Sequence, residues 1–206
     1  MSVGAAPHRP PRRLRRLGWR EVEFASLDFE TTGLDYARDA VLSFGVVPIR
    51  RGRVVLREAV HQLVEPDVPP SPASMTIHEI LPADLTGAPS LMEARQVLRS
   101  ALGGRFLLAW YADVEIAFLS RVFGTRAGAW RRRTVDARRL VLALEGRSLD
   151  TRETLTRTAE RYGIPVSSPH QALDDALVTA QLFLLLAARL EERGRSRVRD
   201  LIALTG

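Results

Sequence analysis

Apolar and polar positions change their period along the chain. Over residues 22–29 they alternate in part, with Val22, Phe24, Ser26 and Asp28 on one face. That pattern predicts a strand, and Thr31-Thr32-Gly33 ends it in a turn. Residues 40–50 and 53–64 are β-rich and meet at Arg51-Gly52, a short hairpin signal. A Pro-rich loop covers 66–72, and a linker with short helical pieces reaches Pro89. The spacing then turns helical over 91–102 and is stopped by Gly103-Gly104. A short buried strand is expected at 106–109. A helix follows at 113–123, with Val114, Ala117 and Phe118 on its apolar side. Residues 134–136 read as a brief strand leading into a helix through Leu144. Further helices are predicted at 151–162, stopped by Gly163 and Pro165, and at 172–192.

Three extended segments in a meander, followed by alternating helices and strands, predict an α/β domain with a mixed sheet. Its expected limits are 21–192. Residues 1–20 mix Pro7, Pro10 and Pro11 with Arg9, Arg12, Arg13, Arg15 and Arg16 and read as a disordered basic arm without a signal-peptide core. Residues 193–206 read as a tail or a short helix. No internal repeat is visible.

Composition changes this picture in two ways. The chain of 206 residues has no Cys, which excludes disulfides and thiolate metal sites. Its formal charge is +6, and every basic side chain other than His is Arg. Arginine binds phosphate in bidentate fashion and stacks on bases, so the surface suits nucleic acid. No apolar run approaches the roughly 18–20 residues of a membrane span, so no membrane partner is expected and the cytoplasm is the default location.

Candidate chemistry sits in two places. In Asp28-Phe29-Glu30 the acids are two apart, so a strand projects both carboxylates to one side. Two bare anions repel, and a divalent cation between them removes the repulsion. In His170-Gln171-Ala172-Leu173-Asp174-Asp175 the His falls in a loop and Asp175 in the first or second turn of a helix. A solvated strand face and a helix-dipole partner are the ordinary alternatives for these acids.

Together, Asp28-x-Glu30 with Thr31-Thr32-Gly33-Leu34, and His170-x-Ala172-x-x-Asp175-Ala176, resemble the DEDD-type 3′–5′ exonucleases of the His subclass. These include proofreading exonuclease subunits of bacterial replicative polymerases. The likeness spans residues 22–190. Met75-Thr76-Ile77-His78 resembles a segment that usually reads Ile-His-Gly-Ile, with Glu79 in place of the Gly. The resemblance implies a ribonuclease-H-like fold, a mixed five-stranded sheet flanked by helices. It also implies two divalent ions, Mg²⁺ or Mn²⁺, with Asp28 bridging them, Glu30 and Asp175 completing the water-activating ion, and Glu115 supporting the second. His170 would be the general base. Thr31, Thr32 and Gly33 would hold the terminal nucleotide, Leu34 would wedge beside its base, Phe118 would contact it, and His78 would belong to the same pocket. The implied partner is nucleic acid with a free 3′ end, DNA ahead of RNA, and a DNA polymerase subunit is a further candidate.

The middle motif departs from the family. Trp110-Tyr111 stands where His-Asn is usual, and Glu115 where Asp is usual. The aromatics either stack bases or pack under the motif. Asp113 lies on a different helical face from Glu115, so Glu115 is the expected ligand. Two functional readings follow: an active exonuclease on DNA or RNA, and a binding module that keeps the 3′-end pocket but cuts poorly. Gln181-Leu182-Phe183 faintly echoes sliding-clamp-binding peptides, but it lies within a predicted helix, where core packing explains it better.

Overall fold

The computed structural model describes residues 6–33, 35–148 and 153–205. Six strands form one sheet: β1 (Glu23–Thr31), β2 (Val41–Arg50), β3 (Arg53–Val54), β4 (Val60–Leu63), β5 (Phe106–Ala109) and β6 (Thr134–Asp136). The order is β3-β2-β1-β5-β6, with β4 also on β2. β2 runs antiparallel to β1, β3 and β4, while β5 lies parallel to β1 and β6. The sheet is therefore mixed and flanked by helices. It has six strands rather than five because the segment expected as one strand over 53–64 is broken. Pro48 accepts from the Val55 N–H (2.9 Å) but has no N–H to return to that edge. The chain makes a 3-10 turn at Leu56–Glu58 before pairing resumes.

The helices are α1 (Pro72–His78), α2 (Pro82–Leu85), α3 (Leu91–Leu102), α4 (Ala112–Val122), α5 (Ala127–Arg131), α6 (Ala137–Glu145), α7 (Leu155–Arg161), α8 (Ala172–Glu192) and α9 (Val198–Ala203). The helix expected over 151–162 begins later: α7 starts at Leu155, capped by Thr154, whose side chain accepts from the Arg157 N–H, and residues 151–152 lie outside the described residues. Strand alternation sends β1 side chains to two cores. Phe24 joins Trp19, Phe106 and the apolar faces of α6 and α8. Leu27 and Phe29 join Phe44 and the faces of α3 and α4. None of the described helices is long and apolar enough to cross a membrane.

Both chain ends pack onto the domain. Residues 6–20 are not a free arm: a 3-10 turn at Arg12–Arg16 leads to Trp19, which is buried with its ring edge-on to Phe183 (5.9 Å). Of the two readings for 193–206, the short helix is seen: it is α9, whose Val198, Leu201 and Ile202 are buried. The two ends clasp each other, because the Val198 N–H donates to Leu17 O (3.1 Å) and the Trp19 N–H to Ser196 O (3.0 Å). Leu14, Leu17 and Trp19 pack against one core and Ala6 against the other, and Pro7 and Pro10 are buried as well, so the segment is seated although it is rich in arginine.

Glu79, where the resembled motif carries Gly, has φ +58° at the left-handed C-cap of α1. Gly suits that position because it lacks the Cβ that makes this region unfavourable.

Candidate metal centre

Phe24, Ser26, Asp28 and Glu30 share the face of β1 that α8 covers. Asp28 pairs across the ladder with Gly45 of β2. A Cβ on Gly45 would lie 2.2 Å from the carbonyl oxygen of Ala172 and 2.4 Å from the Leu173 nitrogen. The missing side chain thus lets the first turn of α8 rest directly on the sheet. That contact carries Asp175 to β1, and one carboxylate oxygen each from Asp28, Glu30 and Asp175 lies within 4.8 Å of the others. The β1–β2 register shifts between Glu30 and Thr31, a bulge that bends the strand as it leaves the site. Gly45 was not singled out from sequence; its only signal is a glycine inside a β-rich run.

Glu115 stands outside that triplet but beside it. It is 4% exposed on α4, and its Oε2 is buried without a hydrogen-bond partner. Burial, then the neighbouring charges of Asp136, Asp113 and Glu30, push its carboxyl up to about 8. Burial and the charge of Asp175 push Glu30 up to about 8 as well. Asp28 is raised well above the usual range by burial, then by Glu115, Glu30 and Asp175. Asp175 is raised by burial and partly relieved by His170. Asp113 points elsewhere, held by Arg131 (2.7 Å) and Arg139 (3.5 Å).

The start of α4 hangs from Asp136, which sequence reading placed only as the end of a strand. Its Oδ2 accepts from the Ala112 N–H (3.1 Å) and its Oδ1 from the Arg139 N–H (2.9 Å). One side chain therefore tethers the starts of two helices and sets where Glu115 sits. An Asp directly before a helical pattern is the visible signal for such a cap.

The donor set fits a hard divalent cation. It offers carboxylate oxygens only, the groups crowd like charges in a largely buried place, and a Glu115 oxygen is orphaned. Nearby, His170 is exposed with φ +62°, and its main-chain N–H donates to Asp175 Oδ2 (3.3 Å). His78 is buried. Its Nδ1 accepts from the Ile80 N–H (3.0 Å), which leaves the proton of the neutral ring on Nε2, itself buried and without a partner. Burial, together with the charge of His170, holds the His78 imidazole below its ordinary range.

The turn after β1 is tightly bonded. Thr31 Oγ1 donates to Gly33 O (2.7 Å), and Thr32 Oγ1 donates to Asp39 Oδ1 (2.8 Å) while accepting from the Ala40 N–H (2.9 Å). A Cβ on Gly33 would lie 2.5 Å from Asp39 Oδ2. Leu34 lies outside the described residues. The expectation that Phe118 contacts a terminal base is corrected: the side chain is fully buried, against Phe29 (6.1 Å) and under the edge of Tyr36 (5.9 Å). Trp110 packs against the core, whereas Tyr111 is 47% exposed with Arg138 over its ring (5.3 Å). Leu182 and Phe183 are fully buried, so the clamp-like tripeptide is core.

Comparison with known proteins places this geometry. The RNase_T family model, described as exonuclease, matches residues 26–183. The chain is 30% identical over 188 residues to a DNA polymerase III PolC-type protein of Thermotoga maritima, covering 88% of this chain and 13% of that one. It is 33% identical over 181 residues to a DNA polymerase III subunit epsilon-like protein of Rhodobacter capsulatus, covering 84% and 25%. The chain thus spans a quarter or less of the length of these two relatives. Among solved structures, exonuclease X in complex with 5′ overhanging duplex DNA superposes with TM-score 0.68 at 22% identity, covering 89% of this chain and 99% of that one. Exonuclease I superposes with TM-score 0.69 at 20% identity, covering 83% and 42%. These two likenesses establish the ribonuclease-H-like exonuclease fold.

Proposed function

The chain belongs to the RNase_T exonuclease family, and on that premise we propose that it is a 3′–5′ exonuclease of the DEDD type, His subclass, releasing nucleoside monophosphates from DNA. The observation that carries this reading is the convergence of Asp28, Glu30 and Asp175 within 4.8 Å, with Glu115 buried beside them and His170 at the rim.

Asp28, Glu30, Asp175 and Glu115 would hold two divalent ions, Mg²⁺ or Mn²⁺, which when bound polarise the scissile phosphate and make water a stronger nucleophile. His170, exposed on its loop, accepts the proton of the attacking water. His78, with its Nδ1 engaged by the Ile80 N–H and its unpartnered Nε2–H buried, belongs to the wall of the same pocket. The bonded turn of Thr31, Thr32 and Gly33 gives the terminal nucleotide a stiff floor. Tyr36 and Tyr111, both exposed at the start of α4 or against it, present ring surface to an unpaired base. The likeness to polymerase III proteins supports proofreading or repair as the setting and a polymerase subunit as the candidate partner, in the cytoplasm.

A second reading, a 3′-end binding module that cuts poorly, is favoured by one observation: Glu115 is not among the three converging carboxylates. The test uses the full chain with 3′-labelled single-stranded DNA, duplex DNA and RNA, in Mg²⁺, Mn²⁺ or EDTA. Metal-dependent release of mononucleotides from DNA 3′ ends is expected. Binding in every condition without release would make the second reading the correct one, and faster release from RNA would reassign the substrate.

A further inference from the structure

Far from the acidic cluster, the N-terminal segment closes the other end of the sheet. Phe106 opens β5 beside Phe24, near the start of β1, whereas Asp28 and Glu30 lie towards the end of β1. Against Phe106, Arg9, Arg12 and Arg15 meet Arg132 and Arg133 around a cavity of about 230 Å³. No carboxylate lines it. Among the described residues none of the five makes an ion pair, although Arg105 close by is matched by Glu23 (3.0 Å) and Glu58 (3.7 Å).

The cavity is built rather than incidental. Arg133 is 6% exposed, held over the Trp130 ring (4.1 Å) and donating to the carbonyl of His8 (3.3 Å). Arg15 contributes a buried Nε that has no hydrogen-bond partner. Burial and the charge of Arg9 push Arg133 down to about 10, so the group stays cationic at neutral pH without a counter-charge. Converging guanidinium groups repel one another, and their planar forks match the oxygens of phosphate in bidentate pairs.

We propose that this cavity is a phosphate site, separate from the metal centre, which takes either a phosphodiester of a nucleic-acid strand or free pyrophosphate. The assignment is independent of the catalytic reading, because none of its residues belongs to the acidic cluster.

The test is thermal melting of the full chain in EDTA, with inorganic pyrophosphate compared against chloride at equal ionic strength. At about a hundredfold excess over Kd the melting temperature should rise by roughly 5–10 °C. The Arg12→Gln/Arg15→Gln double variant should lose most of that rise, and Arg133→Gln should lose it too. The double variant alters exposed and half-buried positions, so it serves even where Arg133→Gln fails to fold. No rise in the wild type, or an equal rise in the double variant, overturns the proposal. So does an equal rise with polyglutamate, which would mark a general acidic-peptide surface. Binding of a labelled single-stranded oligonucleotide in EDTA then separates the two sources. Weakened binding and a shallower salt dependence in the double variant identify the strand. Unchanged oligonucleotide binding alongside a lost pyrophosphate shift identifies the free anion.

Discussion

Glu115 holds a buried carboxyl with an orphaned oxygen next to three other acids, and it has one more methylene than the Asp usual at that place. Without metal such a group is tolerated because burial keeps it protonated, and on the proposed function a bound cation would stabilise its ionised form. Glu115→Gln keeps the shape and removes the charge. It should lower the nuclease rate by about 100-fold or more, shrink the rise in melting temperature that Mn²⁺ produces, and leave metal-free stability equal or higher. Glu115→Asp should remain active. Rate and metal-dependent melting that match wild type in Glu115→Gln would remove this residue from the ligand set. His170 differs in kind. Its contact with Asp175 runs through the main chain, so His170→Ala leaves that bond in place. The substitution should slow hydrolysis by roughly 10²–10⁴-fold while the Mn²⁺-induced stabilisation persists. A loss of both together would mean that the imidazole builds the metal site rather than moving a proton.

Among the elements, the seat of α8 on β2 decides whether the acids meet. Asp28 and Glu30 belong to one strand and converge through strand periodicity alone, but Asp175 arrives only because Gly45 leaves room for the Ala172 carbonyl. Gly45→Ala puts a methyl group into main-chain atoms that cannot rotate away. The expected outcome is a stability loss of roughly 1–3 kcal/mol in urea unfolding, with a larger proportional loss of metal-dependent activity as Asp175 is lifted from the cluster. Unchanged activity in a folded Gly45→Ala protein would show that α8 can be displaced without harm to the site. Asp136 has a comparable part for α4, since the same carboxylate caps α6 and bonds the Ala112 N–H. Both devices act through main-chain contact, which is why neither registers as a motif.

For the whole molecule, a chain of net charge +6 encloses a cluster of carboxyl groups. Glu30 and Glu115 ionise near 4.5 when unfolded but hold their protons to about 8 in the fold. Between these values the folded state binds more protons than the unfolded one. Their contribution to metal-free stability is therefore complete below about 4.5 and is lost as pH rises through about 8. A divalent cation takes the ionised carboxylates, so its stabilising effect should grow over the same interval. Melting in EDTA and in Mn²⁺ at pH 6 and at pH 8 measures this, and a metal-induced shift that is equal at both would contradict it. The clasp between the two chain ends is another property at this scale. Trp19 and α9 close the core under α8, although the arginine-rich start of the chain reads as solvated.

The order of the main strands and helices other than α5, the limits of α3, β5, β6 and α8, and the Asp28/Glu30 pair were legible in the sequence by itself. Each depends on local periodicity or on residues a few positions apart, and main-chain geometry alone then determines which side chains share a face. The motif likeness likewise named Asp175, Glu115 and His170 without any coordinates. Tertiary structure alone decided the rest. Phe118 became core because Tyr36 and Phe29 close over it. The expected third strand split because Pro48 has no N–H to give. The terminal segments folded inward because apolar residues far apart in the chain found one surface. The strand break is set within one hairpin, by Pro48 opposite Val55, whereas the other outcomes are set by contacts between residues distant in sequence, whose partners no local pattern specifies.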